Sequence, residues 1–137
     1  MREKFSHYKG TIGTRVGSET VLILKKIGSA HDFNDYELFI DEKKWRISKM
    51  VLRQNREPKT IEGKFFYARK SGKWVVEETL SIFKVNSQKY IEKTKYKYKS
   101  LHSFWMVSKI KQTVMQEGNM ILSYKFNLND YKLSSRR

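Results

Sequence analysis

The feature that most constrains the fold is an alternation of polar and apolar side chains with a period of two, which is clearest in the second half of the chain. Within residues 88–100, lysines fill most of one set of alternate positions, while Tyr90, Thr94, Tyr96 and Tyr98 fall in the other set. Since successive side chains of a strand point to opposite faces, this segment is predicted to be a strand with a lysine face and an aromatic face.

The same alternation marks further strands on either side, separated by turn residues. It covers residues 61–69, 73–85, 101–115 and 120–128, and more weakly 20–27, 36–41 and 44–52. Short strands at regular spacing predict an antiparallel meander. We therefore expect an all-β, up-and-down, lipocalin-like barrel of about eight or nine strands, closed to remove its edges. A sandwich, or a sheet curved around one helix, is the alternative, and at most one or two short helices are expected, near 1–8 or 29–34.

Two of these strands carry candidate site residues, whose faces follow from strict alternation. In 73–85 it places Trp74, Val76, Leu80 and Ile82 together, with Glu78 among them. A carboxyl group on that face would be buried or face a cavity, with a raised pKa suited to proton transfer; the alternative is an acid paired to a lysine. In 101–115 alternation groups Trp105 and Val107 with Lys109 and Lys111.

Length and composition narrow the class of protein. The 137 residues suit a single domain spanning 1–137, and their hydrophobic and aromatic content is too high for intrinsic disorder. The absence of cysteine excludes a disulfide, a thiolate nucleophile, a zinc finger and a covalent thioether to a cofactor on this chain. No apolar run approaches the length of a membrane span, and the first residues resemble neither a signal peptide nor a transit peptide. We expect a soluble, non-secreted protein.

The strongest compositional signal is charge. Lys and Arg number 29 against 14 Asp and Glu, a net charge of +15, and 21 of the 29 cations are lysines. Such an excess attracts polyanions. One hypothesis is a non-enzymatic module that binds RNA or DNA across the lysine face, or a basic subunit of a larger assembly. Because stacking platforms for bases need aromatic side chains on the same face as the cations, the segregated pattern favours an inward-facing tyrosine wall with the lysines as a solvated exterior.

The other groups of residues that resemble catalytic or metal sites give little support for such a site. The three histidines, His7, His31 and His102, lack the spacing of a metal site, so no metal is expected. Glu77 and Glu78 are adjacent and point to opposite faces of a strand, so they cannot share one substrate. The segment Gly10–Gly13 precedes no helix and lacks the Lys-Ser/Thr of a P-loop, which argues against a nucleotide-driven enzyme.

The C-terminal part of the chain resembles the S-type phycobiliprotein chromophore lyases, the CpcS/CpeS-like family. The residues that carry the resemblance are, in chain order, Thr94, Tyr96, Trp105, Ser108, Lys111, Thr113 and the basic pair Arg136 and Arg137. Members of that family are lipocalin-like barrels that attach linear tetrapyrroles to cysteines of antenna proteins. The resemblance implies a bilin carrier or lyase, a phycobiliprotein acceptor, a non-covalently bound linear tetrapyrrole and a plastid or cytoplasmic location. A homodimer is a further possibility.

A bilin carries two propionates and a long conjugated system, so its host needs cations beside aromatic walls. The predicted ligand-binding residues are Arg15, Tyr96, Tyr98, Trp105, Lys109 and Lys111, with Glu78 as the candidate catalytic acid. Because a lyase hands its pigment on, the absence of cysteine is compatible with this hypothesis.

Overall fold

The computed structural model describes residues 7–28 and 33–131, and strands account for most of that length. The nine strands are β1 (Tyr8–Ile12), β2 (Glu19–Lys26), β3 (Asn34–Asp41), β4 (Arg46–Gln54), β5 (Thr60–Lys70), β6 (Lys73–Val85), β7 (Gln88–Leu101), β8 (Phe104–Gln116) and β9 (Asn119–Asn127). Neither described range contains a helix, so none crosses a membrane. The two predicted short helices lie largely outside these ranges.

All nine strands form one antiparallel sheet in which each strand pairs with its neighbours in the sequence, in the order β1 to β9. The prediction of an all-β, up-and-down meander with eight or nine strands is therefore confirmed. Closure into a barrel is not seen: over residues 7–28 and 33–131 no pairing joins β1 to β9. The hydrogen-bonded sheet is open along both of these strands.

The sheet has only a thin apolar core. The chain exposes 10613 Å², whereas a compact monomer of 16.4 kDa exposes about 7,500 Å². Val21 and Val51 are the buried apolar residues among those described, and both belong to the first half of the sheet. Every residue of β9 is exposed. Stability therefore depends on contacts between adjacent strands more than on a packed interior.

Besides the β8–β9 pair, which has an extra residue at Ile121, three hairpins of the sheet share one irregularity. The pairs β3–β4, β5–β6 and β7–β8 each contain a bulge in the second strand, at Ser48, Glu77 and Ser108 respectively. An extra residue on one strand bends it and shifts the alternation of its side chains by one position. Beyond each bulge, the side chains of the second strand therefore lie on the side of the sheet opposite to the one that a strict period of two predicts.

Beyond the bulges, neighbouring hairpins separate from one another. Pairing of β4 with β5 reaches only Lys49 and Lys64, that of β6 with β7 stops at Glu78 and Lys95, and that of β8 with β9 stops at Lys109 and Asn127. Each hairpin itself stays paired to its turn. The tips of the three hairpins thus diverge at one end of the sheet.

A tyrosine bridges each of these separations. The Tyr67 hydroxyl of β5 donates to the Ile47 carbonyl of β4 at 2.6 Å, and the Tyr98 hydroxyl of β7 donates to the Val76 carbonyl of β6 at 2.5 Å. A third bond runs from Tyr131, after β9, to the Val107 carbonyl of β8. In every case the acceptor carbonyl belongs to the residue just before the bulge. We call these three bonds the tyrosine clamps.

Removing a clamp hydroxyl should destabilise the sheet. Tyr98→Phe leaves the Val76 carbonyl without this donor, and we expect the free energy of unfolding to fall by about 1–2 kcal/mol. Urea denaturation followed by circular dichroism measures the change. Tyr124→Phe, on the exposed strand β9, is the matched control and should change stability little. An equal effect of the two substitutions would show that the clamp bond adds nothing.

The clamps also predict how stability changes at alkaline pH. Burial raises the pKa of Tyr67 and of Tyr98 in the folded protein. Their neutral hydroxyls therefore stabilise the fold fully below the unfolded pKa of about 10, and that contribution is lost as pH rises through the higher folded pKa. In urea denaturation at increasing pH, the free energy of unfolding should fall above about pH 10. The fall should be less steep in Tyr67→Phe and Tyr98→Phe; identical slopes in wild type and both variants would contradict this prediction.

Candidate functional site

The predicted aromatic site residues share one face of the sheet. Tyr96, Tyr98 and Trp105 lie on the same side of β7 and β8, since residues directly opposite in an antiparallel pair lie on one side. The residues opposite them are Ile110, Val107 and Ser100, respectively. We call this side of the sheet the aromatic face. All three predicted aromatic residues are partly buried there.

The predicted cations Lys109 and Lys111 lie on the other side, which we call the lysine face. Lys109 is opposite Lys97, and Lys111 is opposite Lys95. The expectation that both share a face with Trp105 is wrong, because the bulge at Ser108 shifts the alternation between Val107 and Lys109. The structure therefore does not bring these two lysines to the predicted aromatic wall.

Glu78 is also placed by a bulge. Glu77 is the extra residue of β6, so Trp74 and Val76 lie on the aromatic face whereas Glu78 lies on the lysine face, opposite Lys95. This corrects the predicted grouping of Glu78 with Trp74 and Val76. Its carboxylate lies 3.4 Å from the Lys93 ammonium and 3.9 Å from that of Lys95. Glu78 is thus an acid paired to lysines, and its catalytic role stays a prediction.

Arg15 lies far from the other predicted ligand-binding residues. It belongs to the segment between β1 and β2, whereas the others are on β7 and β8, four or more strands away in the sheet. Its exposed guanidinium binds the Glu42 carboxylate, which also accepts a hydrogen bond from Thr20. The bonds from Thr20 and Arg15 lower the pKa of Glu42. Arg15 therefore stabilises the turn region at that edge.

A different lysine reaches the aromatic residues. Tyr96 and Tyr98 line a cleft of about 300 Å³ where β6 and β7 separate, together with two lysines and one acid, Lys70, Lys97 and Glu77. The Lys70 ammonium also lies 5.8 Å from the centre of the Trp105 ring. This cleft combines aromatic walls with a cation, although the cation comes from β5 and was not among the predicted residues.

The lysine face of β7, β8 and β9 carries a denser arrangement. Lys95 of β7, Lys111 of β8 and Lys125 of β9 are directly opposite one another and form a row across three strands. Lys97 and Lys109 form a second, adjacent row. With Lys93, one alternate position earlier on β7, these residues make up what we call the lysine lattice: Lys93, Lys95, Lys97, Lys109, Lys111 and Lys125.

The lattice is poorly neutralised. Among described residues, Glu78 is the acid that forms ion pairs with it, through Lys93 and Lys95. Glu92 of β7 lies on the aromatic face, where it accepts a hydrogen bond from Gln112. Like charges directly opposite one another on a sheet repel. An unneutralised set of cations is thus maintained on an exposed surface.

The lattice surrounds a shallow concavity. Five of its lysines line a cleft of about 440 Å³, together with Ile110, Phe126 and Asn127. A smaller cleft of about 170 Å³ lies between Lys93, Lys95, Lys111 and Thr113. Ammonium groups around a groove focus the electrostatic potential there. The arrangement can hold several anionic groups at once, through point charges that have little directional preference.

Groups for other chemistry are sparse. Within 7–28 and 33–131, no cluster of three or more His, Asp or Glu side chains is arranged to hold a metal ion. His7 and His102 are exposed, and His31 lies outside the described residues.

Sequence reasoning missed two parts of the surface. Lys125 was not singled out, although the alternation of β9 places it opposite the apolar side chains of that strand. Arg46, Tyr67 and Trp74 form a cation–π cluster, but they come from three strands. No spacing in the sequence signals that contact.

Comparison with protein-family models, with curated proteins and with solved structures gives no significant match to this chain. The resemblance to the S-type chromophore lyases stays a prediction based on residues of the C-terminal part. Function is therefore inferred from the geometry of the surfaces described above.

Proposed function

We propose that this protein is a non-enzymatic module that binds nucleic acid through the lysine lattice of β7, β8 and β9. The observation that carries the proposal is the row Lys95, Lys111 and Lys125, three lysines at directly opposite backbone positions on adjacent strands. A polyanion laid across the row would relieve the repulsion between these like charges. Its binding would also release counterions, which is entropically favourable.

The charge density of the lattice supports this ligand class. Lys93 and Lys97 are four residues apart, which spans about 13–14 Å of strand. The six lysines occupy this length on three strands, which together are about 10 Å wide, whereas the phosphates of one nucleic-acid strand follow one another at about 3.4 Å per charge. Several phosphates of one strand can therefore contact the lattice at once.

The same geometry argues for binding without base recognition. The lattice consists of lysines, which contact phosphates as point charges and lack the bidentate fork with which arginine reads guanine. The tyrosines of β7 lie on the opposite face, so they do not offer a stacking platform beside the lysines. We therefore propose contacts to phosphates that are independent of sequence.

Salt dependence tests this function. Affinity for a fluorescent, mixed-sequence DNA single strand should fall steeply between about 50 and 200 mM salt, with a slope of about −0.7 per phosphate contacted in a plot of log K against log salt. The triple variant Lys95→Gln, Lys111→Gln, Lys125→Gln should reduce the magnitude of that slope by about 2. Fluorescence anisotropy measures both quantities.

A matched control separates the lattice from net charge. Lys9, Lys25 and Lys43 are exposed lysines on or near β1, β2 and β3, and changing all three to Gln removes the same charge. This control should alter the slope little. A further variant, Glu78→Gln, removes the acid that forms ion pairs with Lys93 and Lys95 and should therefore tighten binding. Equal slopes for the two triple variants would refute the lattice as the binding surface, as would weak binding of wild type at low salt.

A bilin carrier or lyase is the second candidate function, and the cleft of Tyr96, Tyr98 and Lys70 favours it. In this proposal the Lys70 ammonium, which lies close to the Trp105 ring, binds a propionate of the pigment beside the aromatic walls. A carrier of this kind would pass its pigment to a phycobiliprotein acceptor.

Adding phycocyanobilin to the protein should then shift and sharpen the visible absorption of the pigment, and Lys70→Gln should weaken the shift. Lys109→Gln, on the lysine face, is the control and should leave the spectrum of the complex unchanged. An unchanged pigment spectrum with wild type at micromolar concentration would remove this candidate.

A further inference from the structure

A second anion-binding site is indicated at the opposite half of the sheet, where β4 and β5 separate. The strands are paired from Lys49 and Lys64 to Arg53 and Thr60, and beyond this range the Tyr67 clamp and the contact of Arg46 with the Tyr67 ring join them. A cleft of about 490 Å³ opens there. Its lining is largely apolar and aromatic, apart from one arginine: Ile40, Trp45, Arg46, Ile47, Tyr67 and Trp74.

Three cations converge on one wall of this cleft. The Arg46 guanidinium lies 4.3 Å from the centre of the Trp74 ring, the Arg69 guanidinium 5.0 Å and the Lys44 ammonium 5.8 Å. Among the described residues none of the three cations forms an ion pair with a carboxylate. The positive charge gathered around Trp74 is therefore stabilised by the ring and not by an acid.

Arg46 has an unused donor at this position. Its guanidinium is held between Trp74 and Tyr67, whose ring centre is 4.7 Å away. Its Nη1 atom is buried and has no hydrogen-bond partner. A buried donor without a partner costs free energy, whereas an oxyanion placed beside it would form a short, charge-assisted bond. Because Nη1 is shielded from solvent in this structure, an anion reaches it only when the Arg46 side chain shifts on binding, and the bond that then forms supplies the missing partner.

The rim of the cleft carries an unusual tryptophan. Trp45 ends the β3–β4 turn with φ of 48°, in the left-handed region, and 84% of its surface is exposed. A bulky side chain rarely adopts this conformation, which usually selects glycine or asparagine. An indole kept at such a position, beside an aromatic cleft, is available to cover a planar ligand.

We propose that this cleft binds a small planar molecule that carries a carboxylate or phosphate group. The oxyanion would bond the Arg46 guanidinium, while the flat body would lie among Trp45, Trp74 and Tyr67. The site is separate from the lysine lattice, since it lies between β4 and β5 whereas the lattice lies on β7, β8 and β9.

The first test compares three probes of equal shape on the wild-type protein: naphthoate, naphthyl phosphate and the neutral naphthamide. Isothermal titration calorimetry should show that one or both anions bind. The affinity for naphthamide should be lower by a factor of about ten or more. A preference between the two anions identifies the group that the site takes. The indole N–H resonances of Trp45 and Trp74 should shift on binding, while that of Trp105 should not.

The second test uses variants. Arg46→Gln should weaken binding of the preferred anion about tenfold, whereas Arg53→Gln, an exposed arginine paired with Glu37, should leave it unchanged. Trp45→Gly relieves the left-handed strain, so it should keep or raise the melting temperature while it weakens binding. His102→Gly, which relieves the same strain in the β7–β8 turn, should leave affinity unchanged.

Equal affinity for the anions and for naphthamide would overturn the proposal, as would an absence of binding by all three probes. Unchanged affinity in Arg46→Gln would overturn it too. Because the comparison of probes uses the wild-type protein, the proposal remains testable even if a variant does not fold. DNA binding by the lysine lattice is expected to be the same in Arg46→Gln and in wild type, so failure of one proposal leaves the other standing.

Discussion

The tyrosine clamps determine the shape of this sheet. The Tyr67 and Tyr98 clamps join neighbouring hairpins, and the Tyr131 clamp joins the β7–β8 hairpin to the segment after β9. Each lies where backbone pairing between the strands ends, and each uses the carbonyl of the residue that precedes a bulge. Tyr67, Tyr98 and Tyr131 recur about thirty residues apart, so the same unit is used three times. Because a clamp fixes one atom pair across each gap, the hairpin tips can diverge without separating completely.

The clefts follow from that divergence. The cleft of Arg46 opens beside the Tyr67 clamp, and the cleft of Tyr96 and Lys70 opens beside the Tyr98 clamp. In a sheet paired along its whole length these side chains would be held at the regular spacing of adjacent strands. Here the missing backbone bonds leave room for aromatic side chains and for a ligand. The same interaction that holds the hairpins together therefore defines the mouths of both clefts.

The period of two in the sequence predicted eight of the nine strands and their antiparallel order, because alternation reports directly on pleated backbone; β1 was not among the predicted strands. It also predicted the lysine and aromatic faces of β7. It failed for β6 and β8, since Glu77 and Ser108 are ordinary residues with no signal that marks them as bulges. One extra residue exchanges the faces of everything beyond it, which separated Lys109 and Lys111 from Trp105. The Arg46 cleft depends on contacts between three strands, which no local pattern encodes.

The strand order also has a consequence for how this chain folds. Every strand pairs with the strand next to it in the sequence. Forming these pairs therefore requires only short stretches of chain to be closed into loops. Sheets usually fold slowly because distant segments must meet, and a chain with mainly local contacts avoids most of that entropic cost. Its stability then resembles that of a repeat array, in which each unit is supported by its immediate neighbours. Among the described strands, β1 and β9 each pair with a neighbour on one side only, and they are the first expected to open.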